Sequence, residues 1–83
     1  MKKIYVIYGS EDGILGTCSN MKNAYKVASD YMHEYKLKSY ANVCKEFKEY
    51  PNAELWSVDI AKDDLHNLDW SATIIKTYLN GRA

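Results

Sequence analysis

The run KIYVIY near the beginning of the chain constrains the fold more than any other part of the sequence. Isoleucine, valine and tyrosine all favour strands, and successive side chains of a strand point to opposite faces. Ile4, Val6 and Tyr8 therefore share one face, and Tyr5 and Ile7 share the other. Because both faces are apolar, this strand is either central and covered on both sides or offers its second face to a partner.

The length of the chain allows one domain, residues 1–83, with one modest core. A domain of this size buries roughly 60–65% of its unfolded surface, which leaves little room for a deep substrate cavity. The formal net charge of zero argues against bulk electrostatic attraction to nucleic acid or to anionic lipid. The apolar runs are far shorter than the roughly 20 residues that a membrane span needs, so we expect no membrane partner.

The two cysteines, Cys18 and Cys44, indicate the compartment. The apolar run that follows the first lysines is too short for the core of a secretion signal. We therefore expect two reduced thiols in a cytoplasm. Neither cysteine has a base beside it in the sequence, so both are expected to be small apolar side chains without reactivity.

A hairpin and a helix follow the first strand. The sequence GSEDG has the composition of a turn, and residues 14–18 return as a second strand. Gly16 within that strand indicates a bulge or a close contact. Ser19 and Asn20 offer a cap for a helix whose apolar and aromatic stripe should face the sheet. The side chains of this stripe are Met21, Ala24, Tyr25, Ala28, Tyr31, Met32 and Tyr35.

A second helix and a third strand come next. The shorter amphipathic helix begins after Ser39 and cannot continue through Pro51. Its apolar side chains are Tyr40, Val43, Cys44 and Phe47. Residues 54–60 then alternate as a third strand. Its inward side chains are Trp56, Val58 and Ile60.

Residues 70–79 suit either a helix or a strand. Trp70, Ile74 and Tyr78 fall at helical spacing, but the segment is rich in β-branched and aromatic residues, which lose side-chain freedom in a helix. We therefore predict a fourth strand. The fold class is α+β, a small antiparallel sheet of three or four strands. A long amphipathic helix and a shorter helix pack on this sheet, in the order ββααβ(β).

The opening MKKIYVIYGSEDGILGTCSNMKNAYKVASDYM resembles the start of short bacteriophage-encoded ββαβ accessory proteins of the T-even type, over about the first 35 residues. In those proteins a strand such as KIYVIYG, a turn and a second strand precede a helix of the KNAYKVASDYM kind, and TIIKTYLNGR is similar to their terminal strand. The resemblance implies a phage protein in a bacterial cytoplasm that binds and modulates or inhibits a host protein, such as a defence factor or toxin. One kind of similar size is an antitoxin that neutralises a ribonuclease toxin with help from RNA.

No motif for catalysis, for a cofactor or for a metal is present in the sequence. We therefore assign no catalytic, cofactor-binding or metal-ligating residue and expect no enzymatic activity. The densest acidic stretch, residues 59–69, includes His66 but lacks the glycine and the ligand order of a calcium loop. We interpret it as a solvated loop.

Eight tyrosines against a single phenylalanine favour surfaces that are half wet, which are either the rim of a small core or a recognition face. If the first helix covers Ile4 and Val6, then Tyr5 and Ile7 lie on the opposite face and are candidate partner-binding residues, with Tyr40 as a third. That face would bind a host protein or a second copy of the chain in a homodimer. Alternatively, the segment around Phe47 covers it, and Tyr5 and Ile7 belong to the core.

A second hypothesis is RNA binding through lysines interleaved with aromatic rings. Lys36, Lys38, Lys45 and Lys48 are the candidate contacts, because amines meet phosphates and tyrosine rings stack on unpaired bases. Arg82 is the only arginine, although arginine is the residue that best combines these two contacts. The alternative is that the tyrosines pack inward and the lysines are solvated.

The charges divide along the chain. Residues 22–48 carry six lysines against three acids, whereas residues 49–69 carry six acids against one lysine. The two segments either lie side by side and neutralise each other or form two opposed patches for partners of opposite charge.

Overall fold

The computed structural model describes residues 2–33, 36–62 and 70–79, and these residues form four strands and two helices. In chain order the elements are β1 (Lys2–Gly9), β2 (Gly13–Cys18), α1 (Met21–Tyr31), α2 (Tyr40–Lys48), β3 (Trp56–Asp59) and β4 (Ala72–Leu79). The strands form one antiparallel sheet in the order β2-β1-β4-β3. The α+β class and the fourth strand are therefore confirmed. The predictions for Tyr35, residues 63–69 and Arg82 lie outside the described residues.

Both helices begin at a polar cap, which the sequence predicts for α1 and which the structure also shows for α2. The Asn20 side chain accepts a hydrogen bond from the Asn23 amide at 2.8 Å, and the Ser39 hydroxyl accepts one from the Asn42 amide at 3.2 Å. The first helix ends at Tyr31, before Tyr35, which is the last residue of the predicted stripe. His33 has a φ of 55°, the left-handed conformation in which helices commonly end.

The hairpin contains a bulge at the position that Gly16 indicated. Ile7 of β1 pairs with Gly16, but Tyr8 pairs with Ile14, so Leu15 is an extra residue on β2. The alternative of a close contact at Gly16 is not seen, since no atom of the described residues lies within 4 Å of a Cβ built there.

The predicted facing of β1 is wrong. Tyr5 and Ile7 lie beneath the helices and are 6% and 0% exposed, whereas Ile4 and Val6 lie on the opposite face. The alternative in which the Phe47 segment buries Tyr5 is the one observed, with the two rings in edge contact at a centroid distance of 5.9 Å. Both helices pack on the same face, so the other face of the sheet is not covered by any described element.

The physical reason for this facing is Gly9. A Cβ at Gly9 would lie 2.6 Å from the ring carbon Cζ of Tyr31, so the helix approaches the sheet more closely there than any side chain would allow. Gly9 shares its face with Tyr5 and Ile7 because side chains alternate along the strand. The face that carries the glycine is therefore the face that admits α1.

The remaining inward predictions are confirmed for the described residues. Side chains of the α1 stripe and of α2 join the inward side chains of β3 in one core. On β4, the helix side buries Ala72 and Ile74 completely, and Ile74 pairs with Ile7 at the centre of the sheet. The fully buried large side chains are Ile7, Met32, Val43, Ile60 and Ile74.

The contact between Gly9 and Tyr31 predicts that a methyl group added at Gly9 destabilises the fold, whereas one added at an open position does not. Tyr31 cannot move freely, since its hydroxyl accepts a hydrogen bond from the Glu11 amide at 3.0 Å and its ring stacks on Trp70 at 4.5 Å. We expect Gly9→Ala to lower the free energy of unfolding by about 1–3 kcal/mol, measured by urea denaturation. Gly16→Ala is the matched control and should change it by less than about 0.5 kcal/mol, because its surroundings are open. Equal effects of the two changes would contradict this account.

Replacement by alanine should have very different effects on stability at two isoleucines of the hairpin. Ile7 is 0% exposed, and Ile14 on the neighbouring strand is 69% exposed. Ile7→Ala should lower the free energy of unfolding by about 2–5 kcal/mol, because it removes buried methylenes and leaves a cavity. Ile14→Ala should cost less than about 0.5 kcal/mol. Denaturant titrations followed by tryptophan fluorescence would measure both, and a large cost at Ile14 would refute the assigned facing.

Candidate functional site

The candidate site is the face of the sheet opposite the helices, which we call the open face. Strand alternation and register place on it side chains from all four strands. They are Lys2, Ile4, Val6 and Tyr8 of β1, Ile14 and Thr17 of β2, Ser57 and Asp59 of β3, and Thr73, Ile75, Thr77 and Leu79 of β4.

The centre of the open face is apolar and β-branched. Val6 lies between Thr17 and Ile75, its partners on the two neighbouring strands, and Ile4 is opposite Thr77. Such cross-strand neighbours have Cβ atoms about 4.5–5.5 Å apart, so their side chains form a continuous surface. Val6, Ile4 and Ile75 are each half-buried by these neighbours without any covering layer among the described residues.

The next row adds an exposed aromatic ring. Tyr8 is paired with Ile14 on β2 and with Thr73 on β4. Tyr8 is 45% exposed, and Ile14 is 69% exposed. Exposed tyrosines are common anchors of protein interfaces.

The charges of the open face lie at its margins. Lys2 is the first residue of β1, and Asp59 is the last residue of the edge strand β3. Asp59 accepts a hydrogen bond from the Ala61 amide at 3.1 Å, which holds its carboxylate at the end of the strand. The centre therefore carries no charged side chain among the described residues, so contact there is made through apolar area.

The three predicted partner-binding residues do not lie on one surface. Tyr5 and Ile7 are buried under the helices and present no area to a protein partner. Tyr40 is 43% exposed at the start of α2, where its ring packs edge-on against Tyr25 at 5.5 Å. A hydrogen bond to the side chain of Cys44, together with partial desolvation, raises the pKa of Tyr40 above its ordinary value.

The four predicted RNA contacts are also divided. Lys38 and Lys45 line a shallow depression together with Glu46 and Glu49, and the Lys38 amine lies 3.1 Å from a Glu46 carboxylate oxygen. Lys48 lines a different pocket, and Lys36 is exposed before α2 with a φ of 47°. The structure does not place these lysines along one basic groove.

Sequence reasoning missed the central residues of the open face. The sequence favours a core position for Ile4 and Val6 and indicates no role for Ile75, because β1 is apolar on both faces. The threonines of β4 carried a usable signal, since Thr73 and Thr77 share a face with Ile75 and are more polar than the alternate residues Ala72 and Ile74.

The described residues can also be compared with a metal site, a disulfide and a membrane span. No group of three or more His, Cys, Asp or Glu side chains there is placed to hold a metal ion. Cys18 and Cys44 are not joined in a disulfide. No helix within residues 2–33, 36–62 and 70–79 is long and apolar enough to cross a membrane.

No protein-family model, curated protein sequence or solved structure matches this chain.

Proposed function

We propose that this protein is a non-enzymatic binding protein that recognises another protein through the open face of its sheet. The observation that supports the proposal best is the uncharged, β-branched centre formed by Ile4, Val6 and Ile75 on a face that no described element covers. Tyr8 beside this centre supplies an exposed aromatic anchor.

The composition of β1 supports a partner on this face. An antiparallel sheet with one face in water usually alternates apolar inward residues with polar outward residues. The outward residues of β1 after Lys2 are instead Ile4, Val6 and Tyr8. The largest contiguous apolar patch on a protein surface is often an interaction site.

The size of the open face favours a different protein over a second copy of this chain. Four strands about 4.8 Å apart and about six residues long outline a flat face of roughly 400 Å². Two copies packed through it would bury on the order of 800 Å², below the roughly 1,200–2,000 Å² of stable specific interfaces. A different protein can also contact the edge strand β2, where Ile14 is 69% exposed.

The resemblance to phage accessory proteins suggests the class of partner. It favours a host protein in a bacterial cytoplasm, which this protein would modulate or inhibit by occupying its surface. RNA is a weaker candidate, because the predicted lysine contacts are divided between surfaces and Lys38 is ion-paired with Glu46.

The test compares capture of bacterial proteins by the wild-type chain and by two matched variants. The double variant Val6→Thr and Ile75→Thr keeps β-branched residues at the centre of the open face but makes the centre polar. Tyr40→Ser removes an exposed aromatic ring from the helix layer and serves as the control. We expect a stoichiometric protein partner with the wild type and with Tyr40→Ser, and at least about tenfold weaker binding with the double variant.

Thermal unfolding and sedimentation of the purified chain complete the test. The double variant must stay folded, and the wild-type chain should sediment as a monomer at micromolar concentration. If Tyr40→Ser alone lost the partner, the interface would lie on the helix layer and the proposal would be refuted. A wild-type dimer that the double variant dissociates would identify a second copy as the occupant and would equally overturn it.

A further inference from the structure

At one end of the sheet, the side facing the helices carries an alternating pattern of two lysines and two tyrosines. Lys3 of β1 pairs with Tyr78 of β4, and Tyr5 pairs with Lys76. Each lysine therefore has a tyrosine across the sheet and another along its own strand. We call these four residues the lysine–tyrosine floor.

The floor forms the base of an open pocket of about 250 Å³. Met21 at the start of α1 and Phe47 near the end of α2 supply apolar walls, and Lys48 from the last turn of α2 adds a third amine. The lining contains no aspartate or glutamate from the described residues. Three lysines thus line a small volume, with no carboxylate among the described lining residues to balance them.

Two of the lysine amines contact the tyrosine rings of the floor. The Lys3 amine lies 5.7 Å from the centroid of the Tyr5 ring, and the Lys76 amine lies 5.9 Å from that of Tyr78. These are cation–π distances, and such contacts stabilise a lysine without neutralising its charge. None of Lys3, Lys48 and Lys76 forms an ion pair with a described carboxylate.

Lys76 is the most informative of the three. It is 4% exposed, although a buried amine is costly unless hydrogen bonds or an opposite charge compensate for the loss of water. Among the described residues, its amine donates to the carbonyl oxygens of Tyr50 and Pro51, at 3.4 and 3.5 Å. Both distances are at the long end of the hydrogen-bond range, so these two hydrogen bonds compensate only weakly for the lost water.

We propose that this pocket binds a small phosphate ester, with the phosphate held by the amines of Lys3, Lys48 and Lys76 and the organic group against Phe47 and Met21. A phosphate ester fits better than a carboxylate because it carries a charge of about −1.5 to −2 near neutral pH, against three cations. The pocket volume accommodates a group about the size of one aromatic ring with its phosphate. This site is independent of the open face, since its side chains lie on the opposite side of β1 and β4.

The experiment is an NMR titration of isotopically labelled protein with phenyl phosphate at constant ionic strength. Inorganic phosphate and benzoate are titrated in parallel, so that the anion and the ring are tested separately. The variants are Lys76→Met and Lys48→Met, which remove one amine of the pocket each. Lys45→Met is the control, because Lys45 is exposed on the same helix and does not line the pocket.

We expect saturable shifts at the pocket residues and tighter binding of phenyl phosphate than of either single-feature ligand. Lys76→Met and Lys48→Met should each weaken binding by about tenfold, the usual effect of losing one charge-assisted hydrogen bond. Lys45→Met should change it by less than about twofold. Because Lys48 is exposed, Lys48→Met keeps the test valid if Lys76→Met does not fold.

Three results would overturn the proposal. The first is the absence of saturable shifts with phenyl phosphate. The second is an equal loss of affinity in Lys45→Met and Lys48→Met, which would indicate attraction by overall charge. The third is tighter binding of benzoate or of inorganic phosphate than of phenyl phosphate, which would show that the pocket does not select both features.

Discussion

The arrangement of this domain depends on the covering of one sheet face by two short helices. With 11 and 9 residues, α1 and α2 are about 16 and 14 Å long, enough to lie over one face of a four-stranded sheet. The close approach of Tyr31 to Gly9 determines which face that is. Once α1 lies there, Tyr5 and Ile7 must be core, and Ile4, Val6 and Tyr8 must face outward. The core, the open face and the pocket beside the helix ends all follow from this packing.

Much of the fold is readable from the sequence because its signals are local. The caps at Asn20 and Ser39, the apolar stripe of α1 and the alternation of β3 each depend on residues close together in the chain. The β-branched residues of 70–79 were also sufficient to favour a strand over a helix.

The facing of β1 could not be read in the same way. Alternation assigns residues to two sets but does not say which set is inward when both are apolar. The deciding information was Gly9, whose missing side chain admits Tyr31 from a helix about 20 residues away. The polar residues Thr73 and Thr77 on the outward side of β4 are consistent with the same facing of the sheet. Tyr5 and Ile7 are buried for this reason, and Tyr8, not Tyr5, is the exposed tyrosine of β1.

The lysine–tyrosine floor could not be predicted from the sequence for a different reason. Lys3 and Tyr5 come from the beginning of the chain, and Lys76 and Tyr78 come from its far end. Their alternating pattern exists only in the observed register of β1 with β4, which a single sequence does not specify.

The two proposed surfaces are encoded by alternate residues of the same two central strands. Along β1, Lys3 and Tyr5 serve the pocket while Ile4 and Val6 serve the open face, and β4 repeats the division with Lys76 and Ile75. A slip of one residue in either strand would exchange the two sets and place the lysine amines on the open face. The register is held instead by the buried pair of Ile7 and Ile74 and by the fit of Tyr31 over Gly9. Core packing in this domain therefore does more than stabilise the fold, since it also keeps a charged surface and an apolar surface on opposite sides of one sheet.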